Sequence, residues 1–139
     1  MSQQQNVELA RRLWKGIVEG GASRQAEVGL SDSGWHPDLE YVEDPRWPGT
    51  GSYRGLEAVR ARFAEYLEVF GAVDITVSEL LDAGDEIVSV FHTRGESAHT
   101  GLPFEHEWAY VWTFRDGRVV GWRAYFEKNE ALEAAGLRE

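Results

Sequence analysis

From Val73 onward the apolar residues stop recurring every three or four positions and begin to alternate, and this change of period limits the fold more than any other feature of the chain. Val73 to Leu81, Glu86 to Arg94, Phe104 to Arg115 and Arg118 to Phe126 each alternate as half-buried strands do. Asp116-Gly117 stands between Phe114-Arg115 and Arg118-Val119, where a two-residue primed turn needs positive φ and glycine supplies it readily. Ala83-Gly84-Asp85 and the segment Ser97 to Leu102 provide the other reversals, so the four strands are expected to form an antiparallel meander.

Upstream of Val73 the period is helical. Val7, Ala10, Leu13, Trp14, Ile17 and Val18 place one apolar stripe on a helix spanning Asn6 to Glu19, which Gly20-Gly21 ends. A clearer helix carries Leu56, Val59, Phe63, Tyr66, Leu67 and Phe70 and closes at Gly71. Arg24 to Leu30 has a weaker helical pattern. Leu39 to Val42 reads as a short strand between Pro37 and Pro45, whereas Asp44 to Tyr53, with Pro45, Pro48, Gly49 and Gly51, reads as an irregular loop. A last helix is expected from about Asn129 to Ala135, stopped by Gly136. Helices first and a sheet afterwards describe an α+β domain with helices packed on one sheet face.

At 139 residues the chain has room for one domain, taken as 1–139, with a core large enough to need no staple. The absence of cysteine excludes disulfides, thiolate zinc sites and a cysteine nucleophile. A net charge of −10 would repel a phosphate backbone, so nucleic acid is not an expected partner, and it disfavours an anionic substrate. Met1 to Gln5 carries neither a basic nor an apolar leader region, and no apolar run approaches the ~18 residues of a membrane span. A cytoplasmic protein without membrane contact is the expectation. Glu105-His106-Glu107 offers metal-ligand types, but successive strand residues point to opposite faces, so no metal site is expected. The chain contains no phosphate loop or nucleophile elbow, and no cofactor is expected. Six Trp, five Tyr and six Phe, crowded toward the C-terminal third, suggest an aromatic-lined cavity, an interface, or both.

Three segments carry a resemblance. They are Tyr41-Val42-Glu43-Asp44-Pro45, the helix opening Tyr53-Arg54-Gly55-Leu56-Glu57-Ala58-Val59-Arg60, and Phe114 to Phe126 followed by Glu130 to Leu137. In order and spacing the chain resembles the SnoaL-like and ketosteroid-isomerase-like superfamily. The resemblance implies a strongly curved, mainly antiparallel sheet wrapped around the N-terminal and central helices. Such a sheet forms a cone with one apolar pocket, often in a homodimer joined through the outer sheet face. It also implies that Asp44, in Val42-Glu43-Asp44-Pro45, stands where ketosteroid isomerases carry their general base. A carboxylate beside an aromatic wall is expected to be desolvated, with its pKa raised toward useful base strength; the plainer alternative is that Asp44 opens a turn before Pro45. The family's oxyanion donors have no counterpart. The first helix reads Arg12-Leu13-Trp14-Lys15 where a tyrosine would stand, and counting back from Gly117 reaches Ala109 or Tyr110 where an aspartate would stand. Steroid isomerisation itself is therefore disfavoured.

With Asp116-Gly117 as the turn, unbroken pairing sets Thr113 against Val120, Val111 against Trp122 and Ala109 against Ala124. The resemblance places that face, with Trp122 and Phe126, inside the cone. Trp108, Tyr110 and Trp112 then become dimer surface, unless a β-bulge inverts the assignment and returns Tyr110 as a hydroxyl donor. The expected pocket is Trp14, Phe63, Ala109, Trp122 and Phe126, with polar support from Tyr53, Tyr110, His92 and His106; the two histidines form a candidate acid–base pair. Glu57, Glu65 and Glu68 with Arg60 and Arg62 read as a solvated helix face. Two functions remain open: a cofactor-independent isomerase, cyclase or dehydratase moving a proton on a neutral apolar cyclic or polyketide-like molecule with Asp44 as base, or a module that binds such a molecule unchanged. Pure assembly through the aromatic face is a third.

Overall fold

A computed structural model describes residues 3–19, 30, 32–47, 51–71 and 73–137. In chain order these form α1 (Gln3–Glu19), β1 (Trp35–Val42), β2 (Ser52–Arg54), α2 (Leu56–Phe70), β3 (Val73–Asp82), β4 (Glu86–Glu96), β5 (Pro103–Arg115), β6 (Arg118–Tyr125) and α3 (Lys128–Ala134). The fold is α+β: one six-stranded curved sheet of order β2-β1-β6-β5-β4-β3, antiparallel except where β1 runs parallel to β6. The helix expected over Arg24 to Leu30 lies at 24–29 outside the described residues.

The meander runs as its turn chemistry dictates. Asp116 (φ 50°) and Gly117 (φ 77°) both take positive φ, as a primed two-residue turn requires, and Arg115 pairs with Arg118 across it. Beyond that pair the register slips: Phe114 faces Val119, but Thr113 faces Gly121. Val120 is therefore an extra residue on β6, a bulge that shifts everything beyond it by one position. Further irregularities occur on β3 between Val77 and Glu79, and in the β1 and β6 pairing between Trp35 and Glu40. Bulges bend and twist a sheet locally, and those at Ser78 and Val120 contribute to its curvature.

The Val120 bulge overturns the expected face assignment. Trp112 pairs with Trp122 and Tyr110 with Ala124. The stripe Phe104, His106, Trp108, Tyr110 and Trp112 thus shares the inner face with Trp122 and Ala124, and it is not dimer surface. Ala109 and Val111 face outward, where they pack with Val88, Val90 and the α3 residues Ala131 and Leu132. The apolar part of the outer face is thereby covered within the chain. The outer face also carries polar rows, among them Asp74, Arg94, Glu105 and Thr76, His92, Glu107, aligned across β3, β4 and β5.

Two shorter differences have local causes. β1 begins at Trp35 rather than Leu39 and tolerates Pro37 because pairing with β6 is interrupted there. Ser52–Arg54, expected as loop, forms a brief edge strand with Tyr53 opposite Tyr41.

On the concave side α1 buries Leu9, Ala10, Leu13 and Trp14. Trp14 Nε1 donates to Ser89 Oγ on β4 at 2.8 Å, which fixes the helix on the sheet. Arg12 forks onto Asp32 (3.0 and 2.8 Å), and Asp32 Oδ1 accepts from Gly34 N (2.7 Å), tying the approach to β1 against α1. A side chain at position 34 would meet Leu9 Cδ1 at 2.8 Å, so glycine permits that close approach.

Candidate active site in the mouth of the curved sheet

Because the bulge turns the β5 aromatics inward, they face α2 across a cavity of about 340 Å³. α2 contributes Phe63, Tyr66 and Phe70, and β5 contributes Phe104, His106, Trp108 and Tyr110. Phe126 and the loop residues Glu43, Asp44 and Trp47 close the remaining side. Trp47 sits among four rings, with centroids 5.8 Å from Tyr66, 5.4 Å from Phe70, 5.7 Å from Trp108 and 5.8 Å from Phe126. Trp108 is held in turn by its Nε1 donating to Thr93 Oγ1 at 2.7 Å.

Asp44 lines this cavity and is only 5% exposed, but its chemistry differs from the expectation. Oδ1 accepts from Arg46 N (3.0 Å) and Nε (2.8 Å); Oδ2 accepts from Arg46 NH2 (2.6 Å) and Phe126 N (3.0 Å). Hydrogen bonding by the Arg46 guanidinium outweighs burial and holds the carboxyl well below the usual carboxylate range, which corrects the expected upward shift. Arg46 also bonds Glu130 on α3 and lies 5.0 Å over the Phe126 ring. As the plainer reading anticipated, Asp44 also accepts from a backbone N–H two residues on, making a turn.

This has a stability consequence. Asp44→Asn is expected to lower stability by about 2 kcal/mol at pH 7, since charge-assisted bonds are lost from a buried group, and to lower Tm by several degrees. A group whose pKa falls on folding stabilises fully above its unfolded value of 3.8 and loses that contribution as pH falls toward the folded one. Urea titrations of both proteins should therefore show the gap narrowing below about pH 4.

The second carboxylate at the cavity, Glu43, is 4% exposed and accepts two bonds from Arg62, from Nε and NH2, both at 2.9 Å. Arg62 is 9% exposed, so it is not part of a solvated helix face. Its guanidinium lies 5.2 Å over Tyr53 and 4.9 Å over Tyr66. Beside this pair the Tyr41 and Tyr66 hydroxyls are bonded to one another at 2.9 Å. Burial, then Tyr110 and Glu43, push the Tyr41 hydroxyl well up; burial, then Glu43, does the same to Tyr110. Both phenols stay protonated. Tyr110 lines the cavity and its hydroxyl makes no hydrogen bond among the described residues, which leaves it as a donor for whatever occupies the cavity.

The other expected site residues divide by the corrected parity. Phe63, Phe126, Tyr110 and His106 line the cavity with Asp44. Trp14 and Trp122 stand behind its wall, with centroids 5.7 and 5.0 Å from Tyr110, and Tyr53 stands behind Tyr41. Ala109 faces outward, on the far side of the sheet. His92 pairs across strands with Glu107 and His106 with Thr93, so the two histidines point to opposite faces and form no pair. His92 Nε2 is instead 2.9 Å from Glu105 on the outside. Sequence reasoning missed Glu43, Trp47, Arg62 and Tyr66. The signal for Arg62 was present: it lies three residues after Val59 and four before Tyr66, on the buried stripe.

Among the described residues no helix is long and apolar enough to cross a membrane. A family model for the SnoaL-like domain matches residues 26–122. No curated protein matches the chain. Among solved structures, TerC co-crystallised with polyporic acid superposes with a TM-score of 0.73 at 22% identity, over 95% of this chain and 98% of its own. A proposed SnoaL-like polyketide cyclase from Jannaschia sp. CCS1 gives 0.74 at 19% identity, over 98% and 94%. A proposed isomerase from Bacillus subtilis gives 0.69 at 20% identity, over 98% and 96%. At these identities the likeness carries the fold.

Proposed function

Since the chain belongs to the SnoaL-like family and encloses an aromatic cavity with an unpartnered phenol, we propose that it transfers a proton on a neutral, apolar, ring-containing small molecule. The reaction is of the isomerase, cyclase or dehydratase type and uses side-chain groups alone. The observation that carries this reading is the Tyr110 hydroxyl. Kept protonated by burial among aromatic side chains, it is suited to donate to an oxygen that gains negative charge, a role worth ~10²–10³ in rate per donor. It stands in for the family's donors, whose first-helix tyrosine has no counterpart here. At about 340 Å³ the cavity lies toward the small end of ligand sites, which run ~300–1,000 Å³, and suits a molecule of a few rings. Glu43 and Asp44 are each already paired with an arginine, and the overall charge of −10 repels anions, so a neutral ligand fits best. Support by likeness comes from structures described as those of a proposed polyketide cyclase and a proposed isomerase.

A second reading, a module that binds such a molecule unchanged, is favoured by one observation: the four donors on Asp44 quench it as a base. α-Tetralone in heavy water separates the two. We expect saturable quenching of tryptophan fluorescence, from Trp47 and Trp108, together with exchange of the ketone's α-protons faster than in buffer. Quenching without exchange favours the binding module, and neither effect overturns both readings.

A further inference from the structure

We infer that His106 Nδ1 is the base of this cavity and that Asp44 is a positioning residue acting on it through Phe126. The inference rests on the proton-transfer reading above. His106 Nε2 lies 3.1 Å from the Phe126 carbonyl oxygen. A carbonyl oxygen can only accept, so in the neutral ring Nε2 carries the hydrogen and Nδ1 carries the open lone pair. Nδ1 has no hydrogen-bond partner among the described residues. The ring itself is set on the cavity wall, 4.4 Å from Trp108 and 5.8 Å from Phe126.

The acceptor that fixes this tautomer is fixed by Asp44. Phe126 N donates to Asp44 Oδ2 at 3.0 Å, and Arg46, forked onto Asp44, lies 5.0 Å over the Phe126 ring. The carboxylate thus holds one backbone group of Phe126 while the other holds the imidazole. An ionised Asp44 with every lone-pair direction occupied makes a poor base but a firm anchor. A base oriented by a second group, itself oriented by a third, is the general logic of activated side chains.

In the step proposed, the α-C–H bond of a ketone breaks and its proton passes to Nδ1, giving imidazolium. The electron pair moves onto the carbonyl oxygen as an enolate. The imidazolium then returns a proton to carbon, a deuteron where its N–H has exchanged with heavy water, so no reactant besides solvent is needed. His106 and Tyr110 lie on one face of β5, with Trp108 between them.

The test is α-tetralone exchange in heavy water by the wild type, His106→Gln and Asp44→Asn, with ¹⁵N spectra of His106 and fluorescence binding for each. Glutamine retains a donor toward the Phe126 carbonyl and lacks the base. We expect His106→Gln to lose ~10²–10⁴ in exchange rate with affinity changed only several-fold. Asp44→Asn should lose ~10–100-fold, the size typical of orienting partners, and its His106 spectrum should show a smaller share of the Nε2–H form. In the wild type, α-tetralone should shift the Nδ1 resonance more than the Nε2 resonance. Wild-type exchange that survives in His106→Gln, or a wild-type ring protonated on Nδ1, overturns the assignment and leaves the proton-transfer reading standing. Wild-type binding without exchange overturns the reading itself, and the base with it.

Discussion

Arg62→Met is expected to destabilise the protein by about 3–5 kcal/mol, the loss typical when one partner of a buried ion pair is removed. The variant leaves the Glu43 carboxylate 4% exposed with neither of its two 2.9 Å bonds. It also removes a cation stacked on Tyr53 and Tyr66, worth about 0.5–2 kcal/mol. Domains of this kind have total stabilities of ~5–15 kcal/mol, so the variant approaches the limit of folding at 37 °C. The informative control is Arg62→Met with Glu43→Leu. Replacing both charges by apolar groups is often neutral or stabilising, so urea denaturation should show most of the loss recovered. A double variant no more stable than the single one would mean that the pair acts through its neighbours, the Tyr41 and Tyr66 hydroxyls, rather than through mutual neutralisation.

That pair shows what a sequence does and does not disclose. The meander, the Asp116-Gly117 turn, both long helices and the α+β class follow from period and turn chemistry, which are local properties of the chain. A bulge is not local in that sense. Val120 is an ordinary β-branched residue in an ordinary strand pattern, and only the neighbouring Gly121, a residue common at bulges, hints at the slip. Yet this one residue decides whether Trp108 and Tyr110 line a cavity or an outer surface, because side chains alternate with a period of two. Pro37 posed the converse problem. It marks a strand boundary by rule, and only the interrupted pairing with β6 explains how a strand runs through it.

The candidate site was legible in position and not in chemistry. Asp44-Pro45 identified the loop, and Phe63, Tyr110, His106 and Phe126 do meet there. The direction of the Asp44 pKa was wrong because it depends on Arg46, two residues away, folding back to fork the carboxylate, and on Phe126, 82 residues away, presenting its N–H. Arg62 and Glu43, 19 residues apart, were legible only as separate charges. Which donor meets which acceptor is decided by tertiary approach, and one-dimensional spacing carries little of it.

Trp122→Ala should rank with the buried pair, at about 3–5 kcal/mol. Its indole stacks on Trp35 (4.9 Å, 13°) and meets Tyr41, Phe63, Tyr110 and Trp112 at 5.2, 5.1, 5.0 and 5.6 Å. Trp122→Phe should lose much less than its missing ring suggests, because the Trp122 Nε1 hydrogen is buried with no acceptor among the described residues. Removing an unmet buried donor relieves about 1–3 kcal/mol, which offsets part of the lost packing. Thermal melts of the two variants decide the point, and a phenylalanine variant as unstable as the alanine one would mean that the N–H is satisfied in solution. The alanine variant also leaves a void directly behind Phe63 and Tyr110, two walls of the cavity. Apolar voids lined by rings bind small aromatic molecules, and binding to the folded state alone raises Tm with ligand concentration. Indole should therefore raise the Tm of Trp122→Ala more than that of the wild type. An equal rise in both would show that the void has collapsed, and the Tyr110 hydroxyl would then have moved with its wall, so α-tetralone exchange should fall in the same variant.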